Sequence, residues 1–286
     1  MRPFRLILFA ILSLSYLSSC QKELPDDNSG STGGGGTGGG TGGGGNYNSS
    51  CNNTIMKIKR LQALFDDSNY IAATWNTDGT IKNIKLNVPL SEYRTATYVY
   101  QNNRITQAML YDNMNNQQDD TVIFHYNTAG LVDSMYLKND DWFDISLGYS
   151  NGKVNKYTRY ASGSIMFYWD IITDAKGNIT QAVEWWNGTS GFSKESTYTF
   201  TRDDRKNPFK DLAPYMFYLN DDYEIFRFWG PNNYIDQRYQ DHTGTGTDLT
   251  TGLKYKYNSN CYSNTAQQTI FGQTLFPDDD FQYTYY

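Results

Sequence analysis

Carboxylates are the residues of this chain whose type could most readily support catalysis. Two carboxyl groups held about 5 to 10 Å apart can hydrolyse a glycosidic bond. Candidates are too many to choose from and include Asp140, Asp141, Asp170 and Glu184; acidic residues in loops are commonly solvated. A glycoside hydrolase is therefore our third hypothesis, and we predict that the chain is not an enzyme.

One motif and two histidines offer little further chemistry. Ser150-Asn-Gly-Lys153 matches the Ser-x-x-Lys pattern of penicillin-recognising enzymes, but that pattern acts on a helix, and here it lies in a predicted hairpin turn. His125 and His242 are far apart and have no ligand spacing with the cysteines. We predict no catalytic residue, no metal site and no cofactor.

Aromatic residues are abundant, with 6 Trp, 25 Tyr and 15 Phe. Glu184, Trp185 and Trp186 are consecutive on a predicted strand, so the two indoles should lie on opposite faces, one buried and one exposed. An exposed Trp beside polar groups can hold a sugar ring by stacking and hydrogen bonds. These three residues and Trp229 are our candidate ligand-binding residues; the alternative is that they only pack the sheet.

The N-terminus carries an export signal. Arg2 and Arg5 precede an apolar run from Leu6 to Leu14, which is too short to span a bilayer as a helix and is typical of a signal peptide. Leu17-Ser-Ser-Cys20 resembles the lipobox of bacterial lipoproteins. The resemblance implies cleavage after residue 19 and a lipid on Cys20 that holds the chain to a membrane.

The charge and the next residues bear on location and partners. Two of the 24 Lys and Arg residues lie in the signal peptide, so its removal changes the net charge from −6 to −8. An acidic chain is a poor partner for nucleic acid. Gln21 to Asp27 loosely resembles the export signal of Bacteroidetes surface lipoproteins, which favours display on the cell surface of the outer membrane over its periplasmic face.

Residues 20–50 contain the lipidated cysteine and a glycine-rich linker. Its Gly, Ser, Thr and Asn content cannot bury apolar surface, so we predict a disordered tether spanning about 30 Å. Cys51 and Cys261 remain, and in an oxidising compartment two leftover thiols most simply pair with each other. They are a candidate disulfide.

Residues 51–286 form the predicted folded domain, in which one hairpin pattern recurs. A strand ends in an aromatic residue, a turn of Asn, Asp and Gly follows, and an apolar residue opens the next strand. Such turns need positive φ, which Gly and Asn reach at low cost. The copies are Trp75-Asn-Thr-Asp-Gly79-Thr-Ile81, Tyr100-Gln-Asn-Asn103-Arg-Ile105, Tyr126-Asn-Thr-Ala-Gly130-Leu-Val132, Tyr149-Ser-Asn-Gly152-Lys-Val154 and Thr173-Asp-Ala-Lys-Gly177-Asn-Ile179.

This pattern resembles the YD repeat of rearrangement-hotspot proteins, whose unit is a Tyr-Asp-x-x-Gly hairpin. It also resembles uncharacterised Bacteroidetes lipoproteins that combine a lipobox, such hairpins and an aromatic strand running into Asn-Pro-Phe, as in Tyr198 to Phe209 here. The resemblance implies an all-β fold and a cell-envelope address, and it implies no activity.

We therefore expect an all-β domain, an antiparallel meander of about twelve to fourteen strands in a strongly twisted or curled sheet. Strands are predicted near Glu224 to Trp229 and at the C-terminus, with a short helix or irregular segment at Lys210 to Leu219. Pattern alone leaves an open sheet and a barrel as alternatives. The leading functional hypothesis is a non-enzymatic binding lipoprotein for glycan or another envelope component; the alternative is a structural or adhesin-like protein that contacts other proteins.

Overall fold

The computed structural model describes residues 54–63, 70–87, 94–112, 117–139, 144–217, 226–244, 246–270, 273–274 and 281–286. All of them belong to one compact unit, 51–286. The signal peptide, Cys20, the linker and Cys51 lie outside the described residues, so the lipid, the tether and the domain boundaries remain predictions.

The domain is all-β, as predicted, with more strands than the sequence pattern indicated. Seventeen strands are described, and a single turn of 3-10 helix lies at Ala213–Tyr215. The strands are β1 (Ile58–Ala63), β2 (Tyr70–Trp75), β3 (Ile81–Asn87), β4 (Arg94–Gln101), β5 (Arg104–Asp112), β6 (Gln117–Tyr126), β7 (Val132–Leu137), β8 (Asp144–Ser150), β9 (Lys153–Ala161), β10 (Ser164–Thr173), β11 (Ile179–Gly188), β12 (Gly191–Lys206), β13 (Asn232–Asp241), β14 (Leu249–Tyr257), β15 (Ser263–Ile270), β16 (Gln273–Thr274) and β17 (Phe281–Tyr285).

The sheet closes into a barrel. Strands β1 to β15 pair in sequential order and antiparallel, β17 pairs with β15, and β1 pairs with both β17 and β2. Sixteen strands thus form the ring, while β16 pairs with β15 alone. Closure gives each of these strands two partners and removes the edges that an open sheet would expose. It decides between the two architectures that the pattern left open.

Side chains alternate between an apolar lumen and a polar outer face. Ile84 and Leu86 on β3, and Val122 and Phe124 on β6, are buried in one core, as the alternation predicted. Most exposed positions on the strands carry polar and charged residues, among them Gln107, Lys156, Asp170, Thr199, Arg238, Lys254, Lys256 and Gln282. Tyr136, Ile172, Phe192 and Ile235 are exposed as well. The barrel therefore buries most of its apolar surface inside and presents a largely polar surface outside.

A segment between β12 and β13 fills part of the lumen. Phe209, Leu212, Ala213, Met216 and Phe217 are buried in the same core as the strands. The aromatic ring of Tyr215 packs edge-on against Tyr98 of β4 and Phe124 of β6, at 6.1 and 5.5 Å between centroids.

The second half of this luminal segment corrects one prediction. A strand was expected near Glu224 to Trp229, but residues 226–228 are helical. Phe226 is fully buried and meets Tyr157 of β9 and Trp169 of β10. The residues around Phe226 have the apolar composition of a strand. They nevertheless pack against barrel strands that already have hydrogen-bonded partner strands on both sides.

Hairpin turns of the predicted type lie at one end of the barrel. In the turn after β2, the amide of Gly79 donates to the carbonyl of Asn76, and the amide of Asn76 donates to that of Thr80. The turns at Asn127 and Asp174 repeat both bonds. Each has a glycine with φ between 82° and 92° at the same place, where a Cβ would be strained.

A further copy of this turn escaped the sequence analysis. The amide of Asn258 donates to the carbonyl of Tyr262, and the amide of Cys261 donates to the carbonyl of Asn258, as in the other turns. Cys261 thus occupies the glycine position, with φ of 63°. Cys261 is disulfide-bonded. Its predicted partner Cys51 lies outside the described residues, so the pairing itself stays a prediction.

Consecutive hairpins are tied together by the aromatic residue that precedes each turn. The hydroxyl of Tyr100 donates to the carbonyl of Ile81, that of Tyr126 to Ile105 and that of Tyr149 to Val132, at 2.9, 2.6 and 2.7 Å. Each acceptor is the apolar residue that opens a strand after the preceding turn. The aromatic and apolar positions of the repeat are therefore the two ends of one hydrogen bond.

Related side chains make the equivalent tie where the repeat departs from Tyr. The indole of Trp75 donates to the carbonyl of Ile58, and the hydroxyl of Tyr285 donates to that of Ser263. After the turn at Asp174 the donor is Arg202, whose Nε reaches the carbonyl of Ile179 at 3.1 Å. The tie thus continues through strands in which the sequence pattern fades.

Tyr126→Phe should lower the free energy of unfolding by about 1 to 2 kcal/mol, because it removes one of these bonds and leaves the Ile105 carbonyl without its phenolic donor. Tyr136→Phe is the matched control, since Tyr136 lies on the outer face and is 36% exposed. Urea unfolding of both variants measures the difference. Equal stability of the two variants would show that the tie contributes nothing.

Cys261→Gly should be more stable than Cys261→Ala by about 1 kcal/mol, because both lack the disulfide and only alanine keeps a Cβ at positive φ. Ser259→Gly and Ser259→Ala form the control pair in the same turn at a position without positive φ. Thermal and urea unfolding of the four variants give the comparison. If glycine is no better than alanine at 261, the turn does not impose the strain.

Candidate functional site

The predicted ligand-binding residues on β11 divide between the two faces of the barrel wall. Glu184 and Trp186 face the lumen, where Trp186 stacks on Phe167 at 4.9 Å between centroids. The indole of Trp186 donates to Glu184 Oε1 at 2.5 Å, and the hydroxyl of Ser196 donates to Oε2 at 2.7 Å. Glu184 is 9% exposed. The carboxylate is therefore satisfied within the wall.

Trp185 lies on the outer face in a short aromatic row. It stacks on Tyr168 at 6.1 Å, and Tyr168 meets Phe192 edge-on at 5.0 Å. The ammonium of Lys156 lies 4.1 Å from the Tyr168 ring centroid. Both indoles of the pair are half-buried, so they lie on opposite faces as expected, but neither is fully buried.

Trp229 lies on neither face of β11. It belongs to the luminal segment and packs on Phe217 at 5.8 Å between centroids. The four predicted residues are thus distributed among the inner wall, the outer wall and the luminal segment, and the structure does not bring them together at one surface.

The predicted carboxylates are separated as well. Asp170 pairs across the ladder with Val183 and is exposed on the outer face, whereas Glu184 pairs with Trp169 and faces inward. Asp140 and Asp141 lie outside the described residues. Asp170 and Glu184 therefore cannot flank one glycosidic bond.

The histidines have structural surroundings. His125 stacks on Tyr136 at 5.6 Å between centroids, and Nε2 of His242 lies 2.9 Å from the hydroxyl of Thr197. Within the described ranges, no group of three or more His, Cys, Asp or Glu residues could hold a metal ion.

A cleft of about 730 Å³ opens at the end of the barrel where the repeat turns lie. Its volume falls in the range of small-ligand sites. Turn residues Gly79, Asn103 and Gly130 form part of its rim, and the first described residues of the domain form another part. The aromatic rings that line it are Trp75, Tyr100, Tyr126, Tyr215 and Tyr262.

The floor of the cleft is held by the tyrosine ties. The hydroxyls of Tyr100 and Tyr126 are committed to backbone carbonyls. Burial raises the pKa of Tyr100, and burial with the nearby Tyr215 hydroxyl raises the pKa of Tyr126 well above its ordinary value. These phenols therefore stay neutral and act as fixed donors and apolar faces rather than as bases.

One side of the cleft is fastened by the Asn-Pro-Phe motif. The amide of Asn207 donates to the carbonyls of Phe228 and Gly230 at 2.6 and 2.8 Å, and its oxygen accepts from the amide of Phe209 at 2.9 Å. Asn207 is 4% exposed. This one side chain forms hydrogen bonds with both ends of the luminal segment, which gives the asparagine of the motif a structural role.

A buried arginine holds the same segment from the wall. The guanidinium of Arg202 donates to the carbonyls of Phe226 and Arg227 at 2.7 and 2.6 Å, besides that of Ile179. Burial lowers the pKa of Arg202 to about 10, so it remains charged at neutral pH. With the carbonyl of Asn232 at 3.5 Å, four carbonyl acceptors compensate for part of its lost hydration.

The residues of this cleft were not found by sequence reasoning, apart from the turn glycines and aromatic residues of the repeat. Lys57, Arg104, Lys206 and Lys210 line it, and none had been singled out. The sequence contained one indication of Arg104: this residue lies between the turn and the apolar residue Ile105 of a repeat.

Comparisons with known proteins give structural similarity only. No family model matches the chain, and no curated protein matches it. Porin-like proteins from Bacteroides uniformis and Bacteroides vulgatus are similar, with TM-scores of 0.47 and 0.43, 12% and 10% identity, 80% of this chain covered in each case, and 96% and 99% of theirs. The Tc holotoxin pore of Photorhabdus luminescens has a TM-score of 0.27 and 12% identity, over 71% of this chain and 13% of its own.

Proposed function

We propose that this chain is a non-enzymatic cell-envelope lipoprotein of the Bacteroidetes type, held by a lipid on Cys20, whose barrel domain binds glycan in the cleft at the turn end. The outer membrane, with display on the cell surface, is the proposed location. The observation that carries the proposal is the cleft itself, an aromatic and polar cavity on a rigid barrel.

The two faces of the barrel support an anchor separate from the domain. In a barrel that crosses a membrane with its strands, the outward side chains form an apolar band and the lumen is polar. Here apolar side chains fill the lumen, and exposed strand residues such as Lys156, Arg238 and Lys254 are charged. This surface suits water, and attachment then depends on the lipobox.

Among the described residues, none belongs to a helix with the length and hydropathy that crossing a membrane requires.

The cleft has the components of a carbohydrate site. Sugar rings are held by stacking on aromatic faces and by hydrogen bonds to fixed polar groups. Trp75 supplies aromatic surface, and Asn103 supplies an exposed amide. Because the ties and the Asn-Pro-Phe motif fix the walls, little ordering is needed on binding.

The outer aromatic row favours a second candidate function, a structural or adhesin-like contact with another protein. Phe192 is 42% exposed beside Tyr168 and Trp185. Exposed aromatic clusters on a β-wall are typical of protein contacts. The two candidates use different surfaces and can be separated by mutation.

Cys20→Ser should abolish the lipid anchor. Cells expressing the full chain and fed a labelled fatty acid should yield a labelled protein in the membrane fraction, and the variant should carry no label and leave that fraction. Cys261→Ser serves as the control for loss of a cysteine elsewhere and should keep the label. A membrane-bound, labelled Cys20→Ser protein would contradict the lipobox assignment.

A glycan array probed with the full chain should show saturable binding that Trp75→Ala removes and Trp185→Ala preserves. Each variant is first checked for folding by circular dichroism and thermal unfolding, since the Trp75 indole also donates to Ile58. Loss of binding in Trp185→Ala alone would place the site on the outer aromatic row. Absence of binding to every glycan would refute glycan recognition and favour the protein-contact candidate.

A further inference from the structure

Cations at the turn end of the barrel are built into the repeat. Lys57, Arg104 and Lys153 each stand directly before an apolar residue at the beginning of a strand, with Lys57 just before β1 and the other two as the first residues of β5 and β9. They are 47 and 49 residues apart, the length of two hairpin repeats. The residue at this position lies at the mouth of the barrel, so every second repeat places one cation on the rim.

Each of these cations reaches toward the next turn. The ammonium of Lys57 donates to the carbonyl of Gly79, and that of Lys153 donates to the carbonyls of Asp174 and Ala175 at 2.8 and 2.9 Å. Arg104 lies over the ring of Tyr126, with its guanidinium carbon 5.4 Å from the centroid.

Glycine in the turn makes room for these side chains. A Cβ on Gly79 would lie 2.3 Å from the Lys57 ammonium, and one on Gly130 would lie 3.0 Å from Arg104 Nη2. Gly79 and Gly130 thus serve two purposes, because they allow positive φ and they let Lys57 and Arg104 pass over the turn. These two cations are held at the cleft in consequence.

The charge of the cleft opposes that of the chain. Lys57, Arg104, Lys206 and Lys210 line it with one acid, Asp211, whereas the whole chain has a net charge of −6. A concave site lined by one sign of charge concentrates ions of the other sign. The field at the cleft therefore favours an anionic ligand, while the remaining surface disfavours a polyanion.

Arg104 has unused donors. Among the residues that the structure describes, its guanidinium has no hydrogen-bond acceptor, and the side chain is exposed at the mouth of the cleft. A guanidinium offers five N–H donors in a planar fork that matches a carboxylate or sulfate. It is placed to bind an acidic group while the ring of Trp75, which also lines the cleft, meets the apolar face of a sugar.

We propose that the cleft selects acidic saccharides, short glycans that carry carboxylate or sulfate groups, over neutral ones. This inference rests on the proposed glycan-binding function and names its ligand class. The aromatic rings bind the sugar ring, and Arg104 with Lys210 binds the acid group. A cleft of about 730 Å³ holds a short oligosaccharide segment rather than a long polymer.

The test is calorimetric titration of the full chain with trigalacturonic acid and with its neutral, carboxyl-reduced counterpart. The acidic trisaccharide should bind about tenfold or more tightly than the neutral one, since one charge-assisted pair contributes that much. Its affinity should fall as salt rises, because the acid group is held by charge. A chondroitin sulfate tetrasaccharide tests whether sulfate replaces carboxylate.

Variants identify the cleft as the source of this selectivity. Arg104→Gln and Lys210→Gln should each weaken acidic binding about tenfold and so reduce the ratio of acidic to neutral affinity. Arg104→Lys should recover only part of it, because lysine keeps the charge and loses the fork. Lys156→Gln removes the same charge from the outer wall and is the matched control, expected to bind as the parent does.

Equal binding of the acidic and neutral saccharides, with Trp75→Ala abolishing both, would overturn the acidic selectivity and leave glycan binding in the cleft intact. Selective binding that Arg104→Gln and Lys210→Gln do not weaken would overturn the assignment of the cations. Failure of both saccharides and of the whole glycan array would overturn this inference together with the proposed function.

Discussion

The hydrogen bond from an aromatic side chain to the carbonyl of the preceding hairpin is the interaction on which the rest of this structure depends. Tyr100, Tyr126 and Tyr149 make it in three consecutive hairpins. Because the acceptor opens a strand, the bond sets the offset between one hairpin and the next. The same side chain carries its ring into the lumen, so one residue type serves register and core together.

A barrel of this size needs something inside it. Sixteen-stranded barrels are wide enough to leave an aqueous channel when the lumen is polar. In this chain the inward residues are apolar. If water filled the lumen, the free energy gained by burying these side chains would be lost. The segment between β12 and β13 supplies the missing apolar surface, and Asn207 and Arg202 satisfy its backbone carbonyls.

The cleft is a consequence of the same arrangement. The luminal segment packs below the ring of turns, and the space left above it at the mouth is lined by tied aromatic rings and by cations that stand before the strand-opening residues. Tied phenols with raised pKa give fixed, neutral walls. A rigid, cationic and aromatic cavity on an acidic chain is suited to binding and selection rather than to proton transfer.

The sequence by itself determined the local features of this protein. Turn glycines such as Gly79 and Gly130, the alternation of Ile84 with Lys85, and the aromatic residue before each turn all follow from φ preferences and from period-two burial, which involve only neighbouring residues. The all-β class followed from them. Tertiary structure alone decided closure of the sheet, the luminal position of residues 226–228, the role of Cys261 as a turn residue, and the meeting of Arg104, Trp75 and Lys210 at one cleft. These features depend on contacts between residues far apart in the chain. The energies of those contacts are set by the size and shape of the barrel interior, which a pattern of neighbouring residues does not determine.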